Sequence, residues 1–112
     1  PSFRRDLHLV AVCPDGTFAA HVGVTYDEAN RHGVFEPVCT HPAHLRRGLA
    51  RALMFQLLHR LKALDAADVT VETGSAVAAN AFYDSVGFTE AYLAHTWVKR
   101  WSPRSRAGEP GV

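Results

Sequence analysis

Five leucines spaced four residues apart, Leu45, Leu49, Leu53, Leu57 and Leu61, constrain this chain more than any other feature. Joined by Met54, Leu58 and Leu64, they make a broad apolar stripe at helical spacing, while Arg47, Arg51, Gln56, Arg60 and Lys62 fill most of the other face. A helix of this kind, expected over residues 47–64, needs a second layer to bury its stripe. The flanking sequence supplies that layer as strands. Leu7 to Cys13 is short, apolar and β-branched. Pro14-Asp15-Gly16 is a turn, because Pro presets φ and Gly accepts positive φ. Phe18 to Tyr26 reads as the returning strand, and the polar Asp27–Gly33 stretch as a second loop closed by its glycine. Val34 to Thr40 is a third strand. Pro37 inside it cannot donate a ladder hydrogen bond, so a bulge or splaying is expected there. After the long helix come a strand at Asp68–Thr73 and an Ala-rich helix at Ala76–Val86 capped by Gly87. One or two further strands are expected within Phe88–Trp101. The order is an antiparallel meander feeding a βαβ unit, which predicts a mixed α/β domain on a central sheet.

Composition bounds the rest. The chain has 112 residues, 47% of them hydrophobic and 21% charged, enough for one soluble domain with a real core. Residues 1–6 read as a lead-in, 7–101 as the domain, and 102–112, almost without apolar residues, as a disordered tail. Residue 1 is Pro, which suggests a chain processed, trimmed or cut from something longer. The two cysteines, Cys13 and Cys39, are too few for a disulfide scaffold and sit in apolar runs, where reduced, buried thiols are expected. Cys39, with no base nearby in sequence, reads as inert. No apolar stretch approaches the roughly 20 residues of a membrane span, and no signal peptide opens the chain. A cytoplasmic protein is expected. The net charge of +1 gives no pull toward nucleic acid or membrane. A basic nucleic-acid helix at residues 41–62 lacks a helix-turn-helix companion.

The stretch that carries chemistry runs from Val38-Cys39-Thr40 to Arg46-Arg47-Gly48-Leu49-Ala50-Arg51. A strand ends, a loop follows, and a helix opens. A helix start offers unpaired N–H groups and the positive end of the dipole. Gly48 and Ala50 let a phosphate approach closely, and Arg46, Arg47 and Arg51 add charged donors. That makes a pyrophosphate cradle. Alone, the spacing fits a solvated basic helix start equally well. It is neither a Walker A loop nor a three-glycine dinucleotide fingerprint. His41 and His44 flank this loop, but nothing nearby in sequence completes a ligand set, and no metal is expected.

A second segment, Phe82-Tyr83-Asp84-Ser85-Val86-Gly87-Phe88, makes the pattern specific. With Leu45-Arg46-Arg47-Gly48-Leu49-Ala50 it resembles the paired motifs of the GNAT superfamily of N-acetyltransferases over residues 7–101. There the phosphate loop reads Arg/Gln-x-x-Gly-x-Gly/Ala, and the later helix carries Leu/Phe-Tyr-x-x-x-Gly-Phe. Leu45 stands where the loop pattern has Arg or Gln, so one side-chain phosphate contact is absent. Ala76 stands where relatives often have Asn, and Asn80 is the alternative contact.

The resemblance implies a GNAT-like mixed sheet: an N-terminal meander, a splayed parallel pair around the long helix, and a C-terminal hairpin. It implies acetyl-CoA as cosubstrate. Pantetheine would lie along Val38, Cys39 and Thr40, the pyrophosphate on Arg46, Arg47, Gly48, Leu49, Ala50 and Arg51, with Asn80 and Tyr83 nearby. Acetyl transfer to an amine by direct attack would use Tyr83 as the acid for the departing thiolate. Glu36 or Glu72 is the candidate base, a relayed water or an already neutral amine being the alternative. The usual first strand and two helices have no room in residues 1–6. This implies a module trimmed from a longer chain, or one completed by a linked or associated second domain or a homodimer. The competing function is a non-catalytic CoA-binding or structural half of a tandem protein.

Overall fold

The leucine stripe lies across a four-stranded mixed sheet. The computed structural model describes residues 3–74, 76–89, 93, 95 and 97–102. Strands β1 (His8–Val12), β2 (Phe18–Asp27), β3 (His32–Thr40) and β4 (Asp68–Val71) stand side by side in chain order. β1–β2 and β2–β3 are antiparallel. β3–β4 is parallel, and helix α1 (Leu49–Ala63) makes the crossover between them. Helix α2 (Val77–Val86) follows β4. The expected mixed α/β architecture, a meander feeding a βαβ unit, is the one observed.

Met54, Leu57 and Leu61 of α1 are fully buried in one cluster with Leu7, with Val22, Val24 and Tyr26 of β2, and with Phe35 of β3. Leu53, Leu58 and Leu64 pack at the margins. The Tyr26 hydroxyl, whose ring is buried, donates to the Leu64 carbonyl at 3.4 Å. Leu57→Ala leaves a cavity in this cluster, and we expect a stability loss of about 2–5 kcal/mol, read by denaturant unfolding.

Three local expectations are corrected. α1 begins at Leu49, not at residue 47, and Leu45, 57% exposed, lies outside it. Arg46 (φ 63°) and Gly48 (φ 73°) adopt left-handed conformations that a right-handed helix cannot contain. The β2–β3 turn is closed by Arg31 (φ 53°) rather than by Gly33, which lies inside β3. Gly33 serves packing instead: a Cβ there would meet Val24 Cγ1 at 3.1 Å and Val69 Cγ1 at 3.3 Å. Arg31 donates from Nε to the Asp65 carbonyl (2.9 Å) and accepts from the Ala67 N–H (2.7 Å), tying this turn to the start of β4. Finally, neither thiol is buried: Cys13 is half-buried and Cys39 exposed, and both are free.

The Pro14-Asp15-Gly16 turn forms as expected, with Gly16 at φ 89° donating to the Cys13 carbonyl at 2.9 Å. Within the lead-in, a 3-10 turn at Arg5–Leu7 brings Leu7 into the core. Of the strands expected in 88–101, residues 90–92, 94 and 96 lie outside the described residues; the described ones there are in no strand. So does the expected disordered tail from residue 103 on. Among the described residues no helix is long and apolar enough to cross a membrane.

Candidate functional site

The β2–β3 ladder shifts register between Val22–Val38 and Val24–Phe35, so Glu36 and Pro37 together oppose the single residue Gly23. This is the bulge that a proline without an N–H produces. The parallel ladder ends at the same place. Its last pair is Phe35–Val71, and β3 continues from Glu36 to Thr40 with β2 as its ladder partner. Among the described residues, no strand pairs with the β4-side edge of Val38, Cys39 and Thr40. The bulge also resets which side chains point inward. Phe35 is in the core and Val38 packs against it, while Glu36 and Cys39 are exposed. Glu36 consequently does not share Val38's face, as it would in a regular strand.

Glu36 follows Phe35 directly, and Glu72 follows Val71, so the two carboxylates occupy equivalent positions one step beyond the last pair. Both are exposed, and among the described residues neither makes an ion pair.

At the end of β3 the His41 N–H donates to the Ala19 carbonyl at 2.8 Å. His41 Nδ1 accepts from the Ala43 N–H at 3.1 Å and caps a 3-10 turn at Pro42–His44. The chain then turns through Arg46 and Arg47 to Gly48, the N-cap of α1. No side chain caps this helix, and its first turn holds no acidic residue. The N–H groups of Leu49, Ala50 and Arg51 thus open the helix without a side-chain acceptor. A Cβ on Gly48 would meet nothing within 4 Å, so the space above the helix start is open. Arg46 and Arg47 are exposed and, among the described residues, make no ion pair or side-chain hydrogen bond. The positive end of the dipole and two cations meet at an uncapped terminus, an arrangement suited to a polyanion.

Arg51 is used differently. Its Nη1 donates to the Ser85 carbonyl (3.2 Å) and to Ser85 Oγ (3.1 Å), and its guanidinium lies 5.1 Å from the Phe55 ring centroid. It docks α2 on the start of α1. Asn80 Nδ2 likewise donates to the Gly74 carbonyl at 3.2 Å, fixing the loop between β4 and α2. Gly87 (φ 103°) ends α2, and the Phe88 N–H returns to the Tyr83 carbonyl at 3.1 Å. Phe88 then lies edge-on to Phe35, with centroids 6.0 Å apart. Tyr83, half-buried, packs on Phe82 (5.4 Å) and Phe88 (6.0 Å). Burial pushes its phenol above the ordinary tyrosine range, so the hydroxyl stays protonated at neutral pH. Among the described residues this hydroxyl has no hydrogen-bond partner.

The structure thus gathers Val38, Cys39, Thr40, Glu36 and Glu72 around the end of the parallel ladder, and Arg46, Arg47, Gly48, Leu49 and Ala50 at the helix start. Tyr83 is carried by the helix that Arg51 ties down. Sequence reasoning missed the docking role of Ser85 and Phe88: no spacing rule links residue 51 to 85 or 35 to 88. A separate cleft of about 560 Å³, lined by Arg4, Thr25, Tyr26, Asp27, Glu28, His32 and Val34, opens beside the β2–β3 turn. It contains none of the residues singled out for chemistry.

In open α/β sheets ligands bind outside the carboxyl ends of the strands, and here the parallel ladder ends beside an uncapped, glycine-led helix start. The acetyltransferase (GNAT) family profile matches residues 2–88, and the chain belongs to that family. No curated protein matches the chain. Among solved structures, an aminoglycoside acetyltransferase from an uncultured soil metagenomic sample is 22% identical, with a TM-score of 0.70 over 83% of this chain and 65% of that one. A nourseothricin acetyltransferase is 30% identical, with a TM-score of 0.68 over 73% of this chain and 49% of that one. An aminoglycoside N-acetyltransferase in complex with CoA is 18% identical, with a TM-score of 0.67 over 83% of this chain and 75% of that one. The chain therefore spans about half to three quarters of the length of these proteins.

Proposed function

We propose that this chain is the cofactor-binding and catalytic portion of an N-acetyltransferase that passes the acetyl group of acetyl-CoA directly to an amine. The observation that carries this reading is a coincidence of two features. Among the described residues, the β4-side strand edge at Val38–Thr40 lacks a partner where the uncapped start of α1 follows. An extended amide-bearing arm would complete the ladder along Val38, Cys39 and Thr40, and its pyrophosphate would meet the amides of Leu49, Ala50 and Arg51. Arg46 and Arg47 would add charged donors.

When bound, acetyl-CoA supplies a thioester carbonyl for the acceptor nitrogen to attack. A backbone N–H on the free edge of β3 polarises that carbonyl. Tyr83, kept protonated by its burial, donates to the sulfur as the carbon–sulfur bond breaks. Glu36 or Glu72 takes the proton released by the amine, directly or through water. Asn80 and Arg51 act by holding α2, and with it Tyr83, in place. Two exposed carboxylates beside the gap suit a cationic acceptor. The acceptors named for the similar structures make aminoglycosides and nourseothricin the first to try. The remaining wall of the acceptor site would come from a linked second domain or a second copy of the chain.

The test is an acetylation screen with acetyl-CoA against aminoglycosides, nourseothricin, polyamines and peptide amines, read by product mass. Transfer to an amine is expected. CoA binding without transfer to any of them would favour a non-catalytic, structural half of a larger protein.

A further inference from the structure

Cys13 follows β1 at the β1–β2 turn and lies against the loop that leads into α1, with its Sγ 3.4 Å from His44 Nε2. Both partners are held by backbone. The Cys13 N–H donates to the Thr17 carbonyl (2.7 Å), and the Cys13 carbonyl accepts from the Gly16 N–H (2.9 Å). The His44 N–H donates to the His41 carbonyl at 2.8 Å, and the two imidazole rings lie 5.7 Å apart. A carboxylate lies on the same turn as Cys13. Asp15 accepts from the Thr17 hydroxyl (2.6 Å) and the Thr17 N–H (3.0 Å), and these bonds, with the nearby charge of His44, hold it below the usual carboxylate range. The thiol and an ionised carboxylate share the β1–β2 turn, and the imidazole meets the thiol from the loop that leads into α1. The Sγ–Nε2 contact places an imidazole nitrogen where it can accept the thiol proton as the sulfur attacks.

Cys39 is an internal comparison. It is the more exposed of the two, yet its Sγ meets the His21 carbonyl at 3.6 Å, an acceptor that cannot remove a proton. Exposure alone therefore ranks Cys39 first in reactivity, and geometry ranks Cys13 first.

We propose that Cys13 and His44 form a reactive thiol–imidazole pair that takes up small-molecule disulfides as a mixed disulfide. The Cys13 thiolate attacks one sulfur of the incoming disulfide, and the new S–S bond forms as the old one breaks. The other half leaves as a thiolate and receives the proton held by His44. Cys13 is oxidised and the departing thiol reduced, so no further oxidant is needed. The site lies outside the residues assigned to acetyl transfer, and its chemistry does not depend on that assignment.

The probe is a limiting amount of glutathione disulfide on the intact chain at neutral pH, quenched with N-ethylmaleimide and mapped by mass spectrometry after trypsin. Cys13 falls in peptide 6–31 and Cys39 in peptide 32–46, so both are read in one digest. We expect Cys13 to react faster than Cys39 on the order of tenfold. His44→Gln or His44→Asn, whichever keeps the native far-UV circular dichroism, removes the advantage. Equal rates, or Cys39 reacting first, overturn the proposal without any His44 variant. So does a folded His44 variant that leaves the ratio unchanged.

Discussion

Gly48→Glu abolishes CoA binding while leaving the fold intact. Gly48 caps α1 at φ 73° and ψ 15°, and a Cβ there enters open space. The side chain therefore meets no steric obstacle, and the backbone strain of an L-residue in this conformation is about 1–2 kcal/mol. That is a fraction of the stability of an ordinary domain, about 5–15 kcal/mol. The electrostatic cost to the ligand is larger. A carboxylate roughly 4 Å from a phosphate charge, near a protein surface, opposes binding by about 4 kcal/mol, or roughly a thousandfold in affinity. The same carboxylate would occupy the helix-start amides that the phosphate needs. Gly48→Ala carries the strain without the charge, so the difference between the two variants isolates the phosphate contribution. Isothermal titration with CoA measures both. A folded Gly48→Glu protein that binds CoA as the wild type does would remove the helix start from the binding site.

Tyr83→Phe lowers kcat and leaves CoA affinity nearly unchanged. The ring contacts to Phe82 and Phe88 survive in the variant, and only the hydroxyl is lost. A general acid contributes roughly 10²- to 10⁴-fold. A thiolate leaves more readily than an amine or alkoxide, so the fall belongs at or below the lower end of that range. The pH dependence carries a sign as well. Because burial raises the Tyr83 pKa, the acid is present throughout the neutral and mildly alkaline range. Activity should therefore show no loss from its ionisation until pH passes the ordinary tyrosine range. Wild-type turnover by Tyr83→Phe, with chemistry shown to limit the rate, would reduce Tyr83 to a packing residue.

The features that were legible in the sequence are those with a local steric or periodic cause. Pro37 marked the bulge because it has no N–H to give the ladder, and Gly87 marked the end of α2 because only a left-handed residue closes that helix. The leucine stripe showed where the sheet must be covered. The errors share a different origin. Leu45 continues the four-residue period, but Arg46 and Gly48 turn left-handed and cut it off from α1. Cys39 looked buried because it sits in an apolar run, and regular alternation from Phe35 would also point Pro37 and Cys39 inward. The bulge at Glu36 and Pro37 shifts that alternation by one, bringing Val38 in and turning Cys39 out. Gly33 looked like a turn residue, and it is a packing residue whose missing Cβ is filled by Val24, Val69 and Leu61. Within the site, motif residues located the helix start and Tyr83. What orients them, Arg51 on Ser85 and Phe88 on Phe35, is tertiary contact that no local pattern records.

In the proposed function one ligand spans the β4-side edge of Val38–Thr40 and the uncapped start of α1. Titrating CoA into isotopically labelled protein and following backbone amide resonances tests it most directly. The largest shifts are expected together on Val38, Cys39 and Thr40 and on Gly48, Leu49, Ala50 and Arg51, saturating with one affinity. Shifts confined to one of the two groups, or centred on the cleft around Arg4 and His32, would contradict it.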